Sequence, residues 1–175
     1  TSIGWSAFSD CSSLTSVTIP NSVTSIGPYA FSDCKSLRSV TIPNSVTSIE
    51  EGAFNGCKAL RSAEVPNSVT SIGGYAFYYC SNLENVIIPS NVTHIGDFAF
   101  DQSKSLKSMT IGNGLINIDS YAFGGCHSLE SVHIADLSFW LSIPFESEGQ
   151  NPLSNQAHLY LNGELLKNLI IHDTV

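Results

Sequence analysis

The chain has 175 residues, a formal net charge of −8 and only 13% charged residues. That length suits one domain with a polar, weakly charged surface. So acidic a net charge argues against nucleic acid, which wants a basic face, and no apolar run approaches the roughly 20 residues of a membrane span.

The chain opens on Thr1-Ser2-Ile3-Gly4, which returns as Thr24-Ser25-Ile26-Gly27. The return is systematic. Ile3, Ile26, Ile49, Ile72, Ile95 and Ile118 recur every 23 residues, as do Phe8, Phe31, Phe54, Phe77, Phe100 and Phe123. Leu14, Leu37, Leu60, Leu83, Leu106 and Leu129 keep the same step. Fixed apolar positions at a fixed step describe coils that cannot bury their own apolar side alone and must stack to do so.

The stretch from Leu37 to Phe54 serves for all copies. Val40, Thr41 and Ile42 alternate in and out, which is strand periodicity, and the strand is rich in β-branched residues. Pro43 has no N–H to give a ladder and ends the strand; Asn44-Ser45 turns the chain. Val46-Thr47-Ser48-Ile49 predicts a second short strand. Glycine follows the isoleucine in other copies and suits a corner. The segment around Tyr29-Ala30-Phe31, ending near Cys34, predicts a tight turn of 3₁₀ type leading back to the first strand.

The combination Cys-x-x-Leu-x-x-Val-x-Ile-Pro-x-x-Val-x-x-Ile-x-x-x-Ala-Phe resembles the BspA-like class of leucine-rich repeats. The resemblance covers Thr1 to Ile134 closely and the tail more loosely. It implies a mainly β repeat solenoid of about seven coils, spaced about 4.8 Å apart. A parallel sheet would form the concave face, with short strands and 3₁₀ turns on the other side. It also implies an extracellular or cell-surface protein, often binding or adhesive. Residues 1–134 are expected to hold six repeats. Residues 135–175 are expected to form a longer variant repeat with an inserted loop and a β-hairpin, continuing the same solenoid.

Cys11, Cys34, Cys57, Cys80 and Cys126 share one position of the cycle, where Ser103 stands in the fifth copy. Close Cys-x-x-Cys pairs of the metal-binding kind do not occur, so a ladder of small buried thiols is expected. His127, Glu130 and His133 lie near one another, but two ligands on a flat strand rarely close a site. No cofactor is implied, and no histidine has an evident nucleophile and orienting partner, so no catalytic residue is named. Asn91-Val92-Thr93 matches a glycosylation sequon at a turn and should be exposed.

Candidate contact residues lie on the outward faces, where solenoids bind partners. Arg38 and Arg61 share a file with Glu84 and Lys107, and Lys35, Lys58 and Lys104 run beside them. A basic strip for an acidic partner competes with plain solubilising decoration. Glu64 and Ile87 are outward on the strands, and Ile87 stands where other copies carry Thr or a charge. Tyr78 and Tyr79 replace small or polar residues and should protrude from the return turn, as interface aromatics do. Tyr75 follows a packing column with Tyr29, Phe98 and Tyr121.

After Ile134 the next strand matching by apolar spacing is Leu166-x-x-Leu169-x-Ile171. Between them, Asn162-Gly163 joins alternating segments and predicts a type I′ hairpin, expected to stand out from the solenoid. Phe139-Trp140-Leu141 and Ile143-Pro144-Phe145 are expected to pack beneath the insertion. The chain starts and stops at the same phase of the cycle, with no polar capping repeat at either end. Continuation in both directions is therefore expected, and the uncapped ends are candidates for end-to-end association. The expected function is a non-enzymatic surface or secreted module binding a protein or glycan partner. A structural spacer without its own ligand is the alternative, and an accessory domain of an enzyme stands well behind both.

Overall fold

The computed structural model describes residues 1–146 and 149–168. In chain order the strands are β1 Ser2–Ile3, β2 Ser16–Thr18, β3 Ser25–Ile26, β4 Ser39–Thr41, β5 Ser48–Ile49, β6 Ser62–Glu64 and β7 Ser71–Ile72. They continue as β8 Asn85–Ile88, β9 His94–Ile95, β10 Ser108–Ile111, β11 Asn117–Ile118, β12 Ser131–Ile134, β13 His158–Leu161 and β14 Glu164–Leu165. Helix α1, Leu137–Ser142, lies between β12 and β13.

These strands make a solenoid of about seven turns. Among the described residues, one parallel sheet runs β1-β3-β5-β7-β9-β11. The larger sheet runs β2-β4-β6-β8-β10-β12-β13 in parallel, and β14 closes it antiparallel. Each pairing up to β12 repeats the 23-residue step, as in Val17↔Val40 and Ile49↔Ile72. The isoleucines from Ile26 to Ile118 are buried one above the next. Val40 is buried between exposed Ser39 and Thr41, as the alternation requires.

The phenylalanines stack from Phe8 through Phe123 with centroids 5.2 to 5.6 Å apart and planes within 13° of parallel. Pro20, Pro43, Pro66 and Pro89 each accept from the N–H three residues on, closing the post-strand turn. In the fifth repeat Gly112 replaces the proline, and its N–H donates to the Ile88 carbonyl at 2.9 Å.

The return segment keeps the i→i+3 bonds of a 3₁₀ turn, but only at every second residue. Ala30, Ser32 and Cys34 donate back to Gly27, Tyr29 and Phe31, while Tyr29, Phe31 and Asp33 donate to Glu51, Ala53 and Asn55 of the next repeat. The alternation needs left-handed residues at two places per turn. Tyr29 (φ 55°) and Asp33 (φ 54°) supply them in one copy, and Gly52 and Gly56 in the next.

The tail departs from the expectation. The strand that pairs in register with β12 is β13, with Val132↔Leu159 and Ile134↔Leu161. Leu159 and Leu161 continue the inner row, so the first arm of the hairpin is the seventh rung and does not stand out. Asn162 (φ 51°) and Gly163 (φ 85°) make the predicted turn, and β14 pairs back on β13. Leu169, Ile171 and the terminal phase match lie outside the described residues. In the insertion Asp136 caps α1 by accepting from the Ser138 and Phe139 N–H groups. Trp140 and Ile143 are buried, and Phe145 tilts against Trp140 at 5.3 Å. Leu141, expected to pack with them, points outward.

Candidate interaction surface

The eight outward candidates fall into two patches. Arg38, Arg61, Glu84 and Lys107 form one file just before the larger sheet's strands. The N–H groups of Arg61, Glu84 and Lys107 each donate to the carbonyl of the file member before them, at 3.3, 3.0 and 2.8 Å. Arg61 Nη1 lies 3.4 Å from Glu84 Oε1, so a carboxylate interrupts the cationic file. Glu64 and Ile87 are neighbours in the next file of the sheet, which continues through Thr110 and His133 to Tyr160. Ile87 is 56% exposed, and the file ends where the His133 and Tyr160 rings stack at 4.8 Å.

Tyr78 and Tyr79 lie on the return turns, away from Ile87. Only Tyr79 is exposed. Tyr78 is half-buried, with its ring edge-on to Tyr75 at 5.5 Å and to Tyr79 at 5.2 Å, and burial pushes its hydroxyl pKa up. The Tyr75 column packs as expected, with Phe98 between Tyr75 and Tyr121 at 5.1 and 5.2 Å. Tyr29 belongs to the same column but is separated by Gly52. Its hydroxyl donates to Glu51 Oε1 at 2.5 Å, and that bond is the main reason its pKa is raised to about 12.

The cysteine position is a donor ladder. The thiols of Cys34, Cys57, Cys80 and Cys126 donate to the carbonyls of Phe8, Phe31, Phe54 and Phe100 at 3.1 to 3.3 Å. Ser103 donates to Phe77 in the same way. All five cysteines are free, and only Cys11 is exposed. Burial raises the other four thiol pKa values, Cys34 to about 11 and Cys126 to about 12. Neutral, enclosed thiols are poor nucleophiles. Among the described residues no three His, Cys, Asp or Glu side chains converge as a metal site. His94 pairs with Asp119 at 3.0 Å instead. The sequon lies where expected, with Asn91 and Thr93 exposed.

Sequence reasoning missed a concavity beside the insertion. Where the insertion leans on the return turns, a depression of about 780 Å³ opens between Phe98, Tyr121, Phe145, His127 and Asn155. Asp101 lies at its edge, buried, with its carboxyl pKa raised mainly by that burial. The one sequence signal was the 14 extra residues implied before Leu166, which showed that something must be accommodated but not where.

The repeat geometry is that of one family. The pattern of the BspA type leucine rich repeat region matches residues 1–136 in six copies. This chain belongs to the BspA-type leucine-rich repeat family. The Treponema pallidum leucine rich repeat protein is 27% identical with a TM-score of 0.74, over 85% of this chain and 78% of that one. A leucine-rich repeat protein from Bacteroides ovatus is 34% identical with a TM-score of 0.72, over 98% of this chain. The chain spans 47% of that larger protein. No curated protein matches it. Among the described residues of this BspA-type chain, no helix is long and apolar enough to cross a membrane.

Proposed function

We propose that this BspA-type solenoid is a non-enzymatic binding module, secreted or displayed at a cell surface, that engages a protein or glycan partner through its outward files. The observation that carries the reading is Ile87. It stands bare in a row whose neighbours are Glu64 and Thr110, and the adjoining file carries Glu84 on its own rung with the exposed cations Arg61 and Lys107 on the rungs to either side. An apolar side chain ringed by polar ones is how a contact anchor is built. The surface placement draws on the family resemblance.

The test is a panel of extracellular matrix proteins and glycans, probed by surface plasmon resonance with the chain and its Ile87→Thr and Arg38→Glu/Arg61→Glu variants. A ligand bound by the wild type and weakened roughly tenfold by these changes supports the proposal. A panel giving no signal above background favours the spacer, and the same signal for every variant removes Ile87 and the two arginines from the contact.

A further inference from the structure

Tyr79 is set apart from the other aromatics of the return turns. Tyr75, Phe98 and Tyr121 also have left-handed backbones, but their rings stack on one another. Tyr79 has φ 57° at a place that Gly56 and Gly125 fill in other repeats, and its ring is exposed. A bulky residue held there without face-to-face packing points to a role outside the fold.

Two cations attend that ring. Lys58 Nζ lies 5.8 Å and Lys104 Nζ 6.0 Å from its centroid. One lysine comes from the repeat before and one from the repeat after, so they are about 10 Å apart along the stack. Among the described residues neither makes an ion pair. Asp33 answers Lys35, and Glu84 answers Arg61. Attraction to the aromatic ring keeps the two free ammonium groups on one strip, spaced by it.

We propose that this strip binds a linear acidic polysaccharide, whose regularly placed carboxylates or sulfates pair with Lys58 and Lys104 across Tyr79. The inference rests on the reading of this chain as a binding module and names one ligand class for it. Cations at a fixed interval suit a polymer with charge at a fixed interval. A peptide would look for an anchoring pocket or an open strand edge, and at Tyr79 the backbone is already bonded, donating to Asp101 of the next repeat at 2.9 Å. The net charge of −8 opposes a polyanion over the rest of the surface, so its contact has to be made at the strip.

The experiment titrates the chain with heparin (sulfated), polygalacturonate (carboxylated), dextran (neutral) and poly-glutamate. Heparin or polygalacturonate should bind, weaken as salt is raised, and bind the Lys58→Gln/Lys104→Gln variant roughly tenfold more weakly. Tyr79→Gly keeps a backbone that Gly56 already adopts. It should retain the urea midpoint of the wild type and still lose affinity several-fold. No binding to either acidic polysaccharide, equal binding by the double lysine variant, or tighter binding to poly-glutamate overturns the proposal. Ile87→Thr separates the two readings. A chain that binds a partner through Ile87 yet ignores polysaccharides keeps the proposed function and loses this inference.

Discussion

Ser103 Oγ donates to the Phe77 carbonyl at 3.3 Å, and one repeat earlier Cys80 Sγ donates to Phe54 at the same distance. The buried column therefore selects a small side chain with a proton to give, whether oxygen or sulfur carries it. Cys80→Ser should fold with a stability change within about 1 kcal/mol. Cys80→Ala leaves the Phe54 carbonyl with one bond fewer in a dry place and should cost about 1–3 kcal/mol. Urea denaturation of the two variants checks the ordering, and equal losses would remove the hydrogen bond from the account.

The same thiols set an alkaline limit. Burial raises Cys34 to about 11 and Cys126 to about 12 from an ordinary value of 9.0. Between pH 9 and those values the unfolded chain releases protons that the folded chain retains. Stability is therefore unaffected below pH 9 and falls as pH rises above it. The urea midpoint should drop between about pH 8 and pH 10.5, and a chain with serine at both positions should show a smaller drop.

The column of Phe54 and the surface of Thr41 give the plainest contrast. Phe54 is fully buried between the rings of Phe31 and Phe77, so Phe54→Ala should cost about 3–5 kcal/mol. Thr41 is exposed on the outward side of β4, and Thr41→Ala should change stability by no more than about 0.5 kcal/mol. Thermal or urea unfolding of the pair decides whether inside and outside are correctly assigned.

That assignment was legible in the sequence because burial follows a fixed step, and a column such as Ile26, Ile49 and Ile72 needs no further information. The seventh rung was not, because β13 has Gln156 where the repeat has leucine, whereas Leu166-x-x-Leu169-x-Ile171 keeps the whole apolar spacing. His158–Leu161 follows α1 and sits beside β12, while Leu166 comes after the hairpin turn, so chain path decides where spacing cannot. Tyr78 and Tyr79 were read alike, yet they differ because the backbone is left-handed at Tyr79. Only copies with glycine there hint at that conformation. The Tyr79 lysine pair needed the structure too, since Lys58 and Lys104 are 46 residues apart and meet only through the stack.

Gly52 tests the left-handed position itself. It has φ 60°, and a Cβ there would lie 2.3 Å from the Tyr29 ring. Gly52→Ala must strain the backbone and displace a ring that is bonded to Glu51. A loss of about 1–3 kcal/mol is expected. Measured against Tyr29→Ser alone, Gly52→Ala should cost less than it does in the wild type, because the ring is then gone and only the backbone strain remains. An equal cost in both backgrounds would place all of it in the backbone.

The insertion does for the sixth repeat what a further repeat does for the others, which the sequence did not reveal. Along the stack, the N–H groups of Gly73, Gly96 and Asp119 donate to Ile49, Ile72 and Ile95. The next carbonyl in that series, Ile118, receives the side-chain amide of Gln150 at 2.7 Å. The Phe123 N–H donates to Gly149 where earlier phenylalanines use an alanine carbonyl, and Asn155 Nδ2 donates to the Phe123 carbonyl where earlier repeats use Cys or Ser. Three ladders thus end on residues 149–155, while the larger sheet runs on through β13. Removing one of these bonds leaves a carbonyl short of a partner, so Gln150→Ala and Asn155→Ala should each cost about 1–3 kcal/mol. The loss should appear first as faster amide exchange in the sixth repeat, with protection of the second and third repeats unchanged, because each repeat of a solenoid contacts only its neighbours. Uniform loss of protection along the stack would show instead that the repeats unfold as one unit.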